Sequence, residues 1–526
     1  MNGCLPTRLS VPRSPYTVYY LAFVMVCSLA APALATDYFL AIGGGYSPEG
    51  NQASLEANVL FFQQVLRTSH RGPSSTSVFF ADGYNAEADL QVADDQPSQS
   101  PATDLLTSIF TFGGSREKVY YRNHRVANIA GPNSPDNIKA SLARITKNLT
   151  QGDRLFVYVT AHGSAGGDRN PYNTSINCWD NKKVFAKQFA GWLDDVPATV
   201  PTVLIMAQCY CGGFAHAIFN EHDPEQGLAE NIRVGFFAQQ HDLAAAGCRP
   251  DIKNDEEYSS YFWGALAGQS RTGRPIAGCD YDQDGMVSFA EAHSYAVIES
   301  STIDIPLRTS EEWLRWNSRI RDYDHRRDTR RRRPNDTASA PAVEADDQAI
   351  LGMTGSISSI ADRCRPEIRA TITGLSEQLG LKVEQEVTDV FAKFEDRRRA
   401  QPMVRRGRGR SSGRRILREQ VLDEWPELSD RETWRDSPLL SAGNQEKFLG
   451  ELKALPAYEA FEQSLLEREK SRHERELAEV ERAKFQRLVN ALEYAILAEN
   501  LEQIASPEEV HRFQQMVAME EAFLSP

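Results

Sequence analysis

The run Pro201–Phe214, PTVLIMAQCYCGGF, closes an apolar stretch on Cys209 and follows it with Gly212-Gly213. Leu155–Gly163, LFVYVTAHG, has the same design and delivers His162, with Gly163 next. A short apolar run ended by a small-residue turn reads as a buried parallel strand leading into a loop. Two such strands side by side put a thiol and an imidazole at the carboxyl edge of one sheet, where open α/β sheets bind ligands. A thiol attacks as its thiolate, and an imidazole within hydrogen-bond reach generates that thiolate near neutral pH. The chemistry this pair offers is nucleophilic acyl transfer. Cys211, two residues on, is either a second, resolving thiol or a small buried residue.

A second constellation is Asp280-Tyr-Asp282-Gln-Asp284-Gly285-Met286-Val287-Ser288-Phe-Ala-Glu291. It fits the twelve-position EF-hand calcium loop: oxygens at positions 1, 3 and 5, Gly at 6, a backbone carbonyl at 7 (Met286), Ser288 at 9 and Glu291 at 12 for bidentate closure. Three carboxylates this close repel one another until a cation neutralises them, so one Ca²⁺ is the expected cofactor. Gly273, Pro275 and Gly278 forbid a regular entering helix, whereas Ser288 to Ser300 can form the exiting one. The pattern predicts one calcium loop built into a larger domain.

These residues need a scaffold, and the spacing supplies one. Asp37 to Ile42, Ser77 to Phe80, the His162 run, the Cys209 run and Ile232 to Ala238 read as strands. Helices are predicted over Ser54 to Leu66, from Ser134-Pro135 with a stripe of Ile138, Leu142, Ile145 and Leu149, over Lys183 to Leu193 and over Glu257 to Ala267. Asp82 to Ser115 and Ser164 to Asn181 read as loops. Strands alternating with helices imply an α/β fold: a mostly parallel sheet with helices on both faces.

At 526 residues the chain should hold more than one domain. A net charge of −14 argues against a general nucleic-acid binder, which needs surplus Lys and Arg. Arg8 and Arg13, the apolar core Tyr20 to Ala31 and Ala33-Leu34-Ala35 read as a signal peptide, 1–35, cleaved before Thr36. Its loss leaves no stable membrane span, and the expected location is secreted or periplasmic. Of eight cysteines, Cys4 and Cys27 leave with the signal, and disulfides among the rest are permitted but not readable. The main domain is placed at 36–308. An Arg/Pro-rich linker (309–345), a helical segment (346–400), a basic linker (401–415) and a helical, coiled-coil-like region (416–526) follow. The polar gap Glu467 to Glu476 argues against one continuous coil.

The pair VTAHGS and IMAQCYCGG resembles the His-Gly and Cys signatures of caspase-like cysteine peptidases, most closely the legumain (C13) family. In caspases the His lies about 50 residues before the Cys, as here. The resemblance covers about Asp37 to Ser300. It implies a caspase/legumain-like sheet and cysteine endopeptidase activity on a protein or peptide substrate. It gives Cys209 as nucleophile, His162 as general acid and base, and the backbone N–H of Gly163 and Cys209 as oxyanion donors. Where legumains carry an Asn after the first strand, this chain reads Gly44-Gly45-Tyr46-Ser47, with Asn51 the nearest candidate. Phe237 to Cys248 is expected to line the specificity pocket. The helical tail is expected to cap the site, as legumain pro-regions do, or to oligomerise. Two other readings use the same residues: a catalytically silent scaffold whose tail binds partners, and a transpeptidase or ligase that passes the acyl group to an amine.

Overall fold

The computed structural model describes residues 35–93, 100–111, 119–247, 257–317, 355–399 and 412–524. The expected signal peptide, apart from Ala35, therefore lies outside the described residues. So do 318–345 of the first expected linker, 346–354 and 400 of the expected helical segment, 401–411 of the basic linker, and Cys248.

The chain begins with β1 (Asp37–Gly44), α1 (Ala53–Ser69) and β2 (Ser74–Phe80). β3 (Leu90–Ala93), α2 (Pro101–Phe110) and β4 (Val119–Arg122) follow, with β3 and β4 forming a small antiparallel pair. Next come α3 (Pro135–Thr146), β5 (Arg154–Ser164), β6 (Ser175–Cys178), β7 (Lys182–Phe185), α4 (Ala186–Leu193), β8 (Thr202–Met206) and β9 (Arg233–Phe237). α5 (Tyr258–Ala267), α6 (Phe289–Glu299), β10 (Leu307–Arg308) and α7 (Thr309–Asn317) complete the α/β part. The main sheet runs β10-β9-β8-β5-β1-β2, parallel except for β10, which is antiparallel to β9. β6 adds antiparallel to the end of β5, pairing His162 with Asn177.

The central strands are apolar because both faces are covered. Leu155, Val157 and Val159 of β5, and all of Val203 to Met206, are buried. From β5, Phe156 meets Phe289 of α6, and Tyr158 meets Phe62 of α1 and Trp263 of α5. α1, α5 and α6 pack together, and α3 packs with α4 as a separate group. Each large apolar side chain so buried contributes about 1.5–3 kcal/mol.

The C-terminal region comprises α8 (Ile357–Ala361), α9 (Pro366–Gln378), α10 (Val387–Arg399), α11 (Ser412–Glu424), α12 (Gln445–Lys453), α13 (Tyr458–Ile504) and α14 (Pro507–Glu520). Ile372 and Leu375 of α9 and Phe485, Leu488 and Leu492 of α13 join the same hydrophobic core as the sheet. A second cluster joins Leu106 and Ile109 of α2 to Leu417, Val421, Phe448 and Phe461. Among the described residues no helix is long and apolar enough to cross a membrane.

Several expectations need correction. Residues 309–317 are not linker: they form α7, whose Trp313 and Leu314 are buried. Glu467 to Glu476 does not interrupt α13, which runs as one 47-residue helix because its ends are packed while its exposed middle needs only helix-forming residues. Lys183 starts in a strand, and α4 begins at Ala186. The two presumed loops carry β3, α2 and β6.

Candidate active site

β5 and β8 are neighbours, with Val159 in register with Met206. His162 and Cys209 lie three residues beyond those partners, at the same edge. β8 ends at Met206, and Tyr210 takes a left-handed conformation (φ 61°), which turns the chain sharply after Cys209. The two backbones touch here. A Cβ added to Gly163 would lie 2.0 Å from the Cys209 carbonyl oxygen. Gly163 is required for this close approach, whatever else its N–H does.

His162 is held in one tautomer. Its Nε2 lies 2.8 Å from the Gly50 carbonyl oxygen and 2.8 Å from Gln52 Oε1. A carbonyl only accepts, so Nε2 carries the hydrogen and Nδ1 keeps a bare lone pair. Gln52 is oriented by its own amide, which donates to the Glu49 carbonyl at 3.0 Å. The Tyr46 ring stands edge-on to the imidazole with centroids 5.2 Å apart. Burial pushes the His162 pKa down, against the Gly50 hydrogen bond.

Cys209 is half-buried, and among the described residues its Sγ donates to the Ala245 carbonyl at 3.6 Å. Burial pushes its pKa up. Burial thus favours the neutral form of both groups. Cys211 is closed to solvent: its Sγ sits 3.4 Å from the Gln239 carbonyl oxygen and accepts from Gln239 N at 3.2 Å. Burial raises its pKa strongly. That fits the small buried residue and not a resolving thiol. Cys178, Cys209, Cys211, Cys279 and Cys364 are all free.

Asn51 does not support the imidazole. Its Oδ1 accepts from Gly45 N at 3.0 Å, and its amide donates to Asp89 at 3.1 Å. Gly50 and Gln52 hold His162 instead. The sequence hint is Gln52 itself, the residue that precedes the first turn of α1. Of the segment expected to line a pocket, Gln239 is buried and bonds Ala244 and Ile305, which makes it structural.

The acidic loop lies apart from this edge. Asp280, Asp282 and Asp284 each bring a carboxylate oxygen within 4.8 Å of the others. Gly285 (φ 92°) makes the turn, and the N–H groups of Asp284 and Gly285 bond Asp280 at 3.1 and 3.0 Å. The turn residues before Ser288 contain no entering helix, and α6 exits. Glu291 is buried and caps α6: Oε2 accepts from Ser288 N at 2.8 Å and Oε1 from Tyr281 N at 2.6 Å. The donors are hard oxygens suited to a divalent cation, but Glu291 must exchange backbone contacts for metal to complete the set.

No family model matches the chain, and no curated protein does. Among solved structures, protein GSU0716 from Geobacter sulfurreducens is similar over 52% of this chain and 92% of its own, at 9% identity and a TM-score of 0.30.

Proposed function

We propose that the chain is an exported cysteine endopeptidase of the legumain type, with a caspase-like sheet and one Ca²⁺ in the 280–291 loop. One observation carries the reading: His162, fixed with Nδ1 bare, and Cys209 each lie three residues beyond in-register partners on two adjoining parallel strands, at one carboxyl edge. In the reaction, the Cys209 thiol gives its proton to His162 Nδ1, and sulfur adds to the peptide carbonyl carbon. N–H groups of Gly163 and Cys209 hold the oxyanion, an interaction worth about 10²–10³ in rate elsewhere. The C–N bond then breaks, and the imidazolium proton leaves with the amine. His162 next takes a proton from water, which opens the thioester to the acid and restores the thiol. The calcium ion takes no part in these steps. Its ligands are Asp280, Asp282, Asp284, the Met286 carbonyl, Ser288 and Glu291, and its role is to neutralise and order the loop.

Profiling a peptide library with the mature protein tests this reading. Cys209→Ala should abolish hydrolysis while leaving thermal unfolding unchanged; undiminished turnover rejects it. One observation favours a silent scaffold: the thiol is held on Ala245 with its pKa raised. A Cys209 inert to iodoacetamide at neutral pH, with no peptide cleaved, would establish that alternative.

A further inference from the structure

Cys209 is aimed by a loop that does not stand by itself. Residues 243–246 receive the Cys209 thiol at the Ala245 carbonyl, and Tyr210 N donates to the Leu243 carbonyl at 2.9 Å. That loop is fastened to the segment 300–305. Ala246 N donates to Asp304 Oδ1 at 2.7 Å, and Ile305 N donates to Gln239 Oε1 at 3.2 Å. The segment is fastened in turn from α13. The Arg487 guanidinium, 2% exposed, donates to four backbone carbonyls: Asp304 at 2.7 Å, Ser300 at 2.8 Å, Thr302 at 2.8 Å and Val297 at 3.0 Å.

We propose that Arg487 is a positioning residue for Cys209, so that the C-terminal helical region is a working part of the site and not a removable cover. The inference rests on the reading of Cys209 as the nucleophile. Its physical basis is the match of a rigid, multiply donating fork to four carbonyls that α6 and the turn after it leave without helical partners. No other side chain offers that geometry from one position. The buried Asp304 carboxylate is pushed up to about 6 by burial, and Arg487 opposes that rise. Glu257 pushes it further up, and Asp304 in turn raises the pKa of both Cys209 and Cys211. Losing the guanidinium loosens the anchor of the 243–246 loop and frees the thiol from its fixed direction.

The test is carried out on the full chain, with Arg487→Met and Arg487→Lys. Iodoacetamide labelling is followed by mass spectrometry for each cysteine, alongside kcat and KM on a cleaved peptide. In R487M, Cys209 should be alkylated faster, by about tenfold, because a loosened 243–246 loop no longer holds the thiol on the Ala245 carbonyl and opens it to solvent and reagent. Cys178, Cys211 and Cys279 should stay protected, because the core is intact. A misplacement of about 1 Å costs on the order of 10² in turnover, so kcat should fall by that much with KM little changed. R487K, which keeps the charge but not the fork, should lie between. Cys209 labelling within twofold of the parent in R487M overturns the inference. If R487M exposes all four thiols together, R487K decides: faster labelling of Cys209 alone supports the role, and parental labelling refutes it. Failure of the parent chain to cleave any peptide sinks the peptidase reading, and the labelling comparison stands apart from that result.

Discussion

Replacing Gly163 by Ala tests the contact on which the site depends. The added methyl would meet the Cys209 carbonyl oxygen at 2.0 Å, the Cys209 carbonyl carbon at 3.0 Å and Gln208 Cγ at 3.0 Å. Ordinary carbon–oxygen contact lies near 3.4 Å, so the two backbones must part by more than an ångström. Overpacking of this kind costs about 1–3 kcal/mol. A displacement of that size at a reacting atom costs on the order of 10² in rate, equivalent to about 2.7 kcal/mol of barrier. Gly163→Ala should therefore fold with a lowered melting temperature and lose about a hundredfold in kcat/KM on a cleaved peptide. The control is Gly167→Ala, where nothing lies within 4 Å of the new methyl; it should be neutral in both assays. Neither glycine needs a left-handed backbone, so the comparison isolates space from conformation. A G163A protein with parental melting and turnover would mean that the two strand ends do not abut, and the argument for a dyad would fall with it.

Three further outcomes follow from the buried polar groups and the acidic loop. Burial pulls the His222 pKa from an ordinary 6.5 down to about 4, so the unfolded chain protonates first as pH falls. The stability that this neutral imidazole contributes should be lost between pH 6.5 and about 4, by about 3 kcal/mol, and urea midpoints of His222→Gln should be flatter over that window. Calcium should raise the melting temperature, with a gain of about 2.7 kcal/mol at a hundredfold excess over its dissociation constant; Asp284→Ala should abolish the response, and a parent protein indifferent to both calcium and chelator would reject the metal site. Glu520 is fully buried and accepts from Ser310 N at 2.8 Å and from the Ser310 and Thr309 hydroxyls, beside Arg308 at 3.5 Å. Glu520→Ala leaves a buried cation short of a partner and should cost about 3–5 kcal/mol in denaturant titration.

What was legible in the sequence is what a local pattern can carry. Apolar runs of four to six residues betrayed β1, β5, β8 and β9, since a strand covered on both faces has no polar positions to hide it. Ser134-Pro135 announced α3, and α6 was expected only as the exiting helix of the acidic loop, Ser288 and Glu291 being read as calcium ligands; in both helices the Ser side chain accepts from the third residue. The supports of the site were not legible, because they are made by main chain and by distance. Gly50 reaches His162 through a carbonyl, which has no residue type. Arg487 lies far along the chain from the carbonyls it binds. β6 and β7 were hidden by a Gly- and Asn-rich approach, and α7 by the arginines that follow it, although the apolar pair Trp313-Leu314 was there to be read.

The boundary at 308 illustrates why composition misplaces a domain edge. It marks a change in surface charge, whereas folding units are set by what buries what. Helix α6 is held by the tail at both ends: Phe289 N donates to the Ala522 carbonyl at 2.9 Å, and Arg487 takes the Val297 and Ser300 carbonyls. The strand β10 beside it contributes Arg308, which faces Glu367 of α9 and Glu520 of α14. Removing the tail would thus leave Arg308 as an unpaired buried cation and several carbonyls unbonded, each penalised by about 1–3 kcal/mol or more. Those losses are comparable to the whole stability of an ordinary domain. The sheet that carries Cys209 and His162 is therefore bound into one folding unit with α9, α13 and α14, and the acidic loop, through Ser288 and α6, belongs to it.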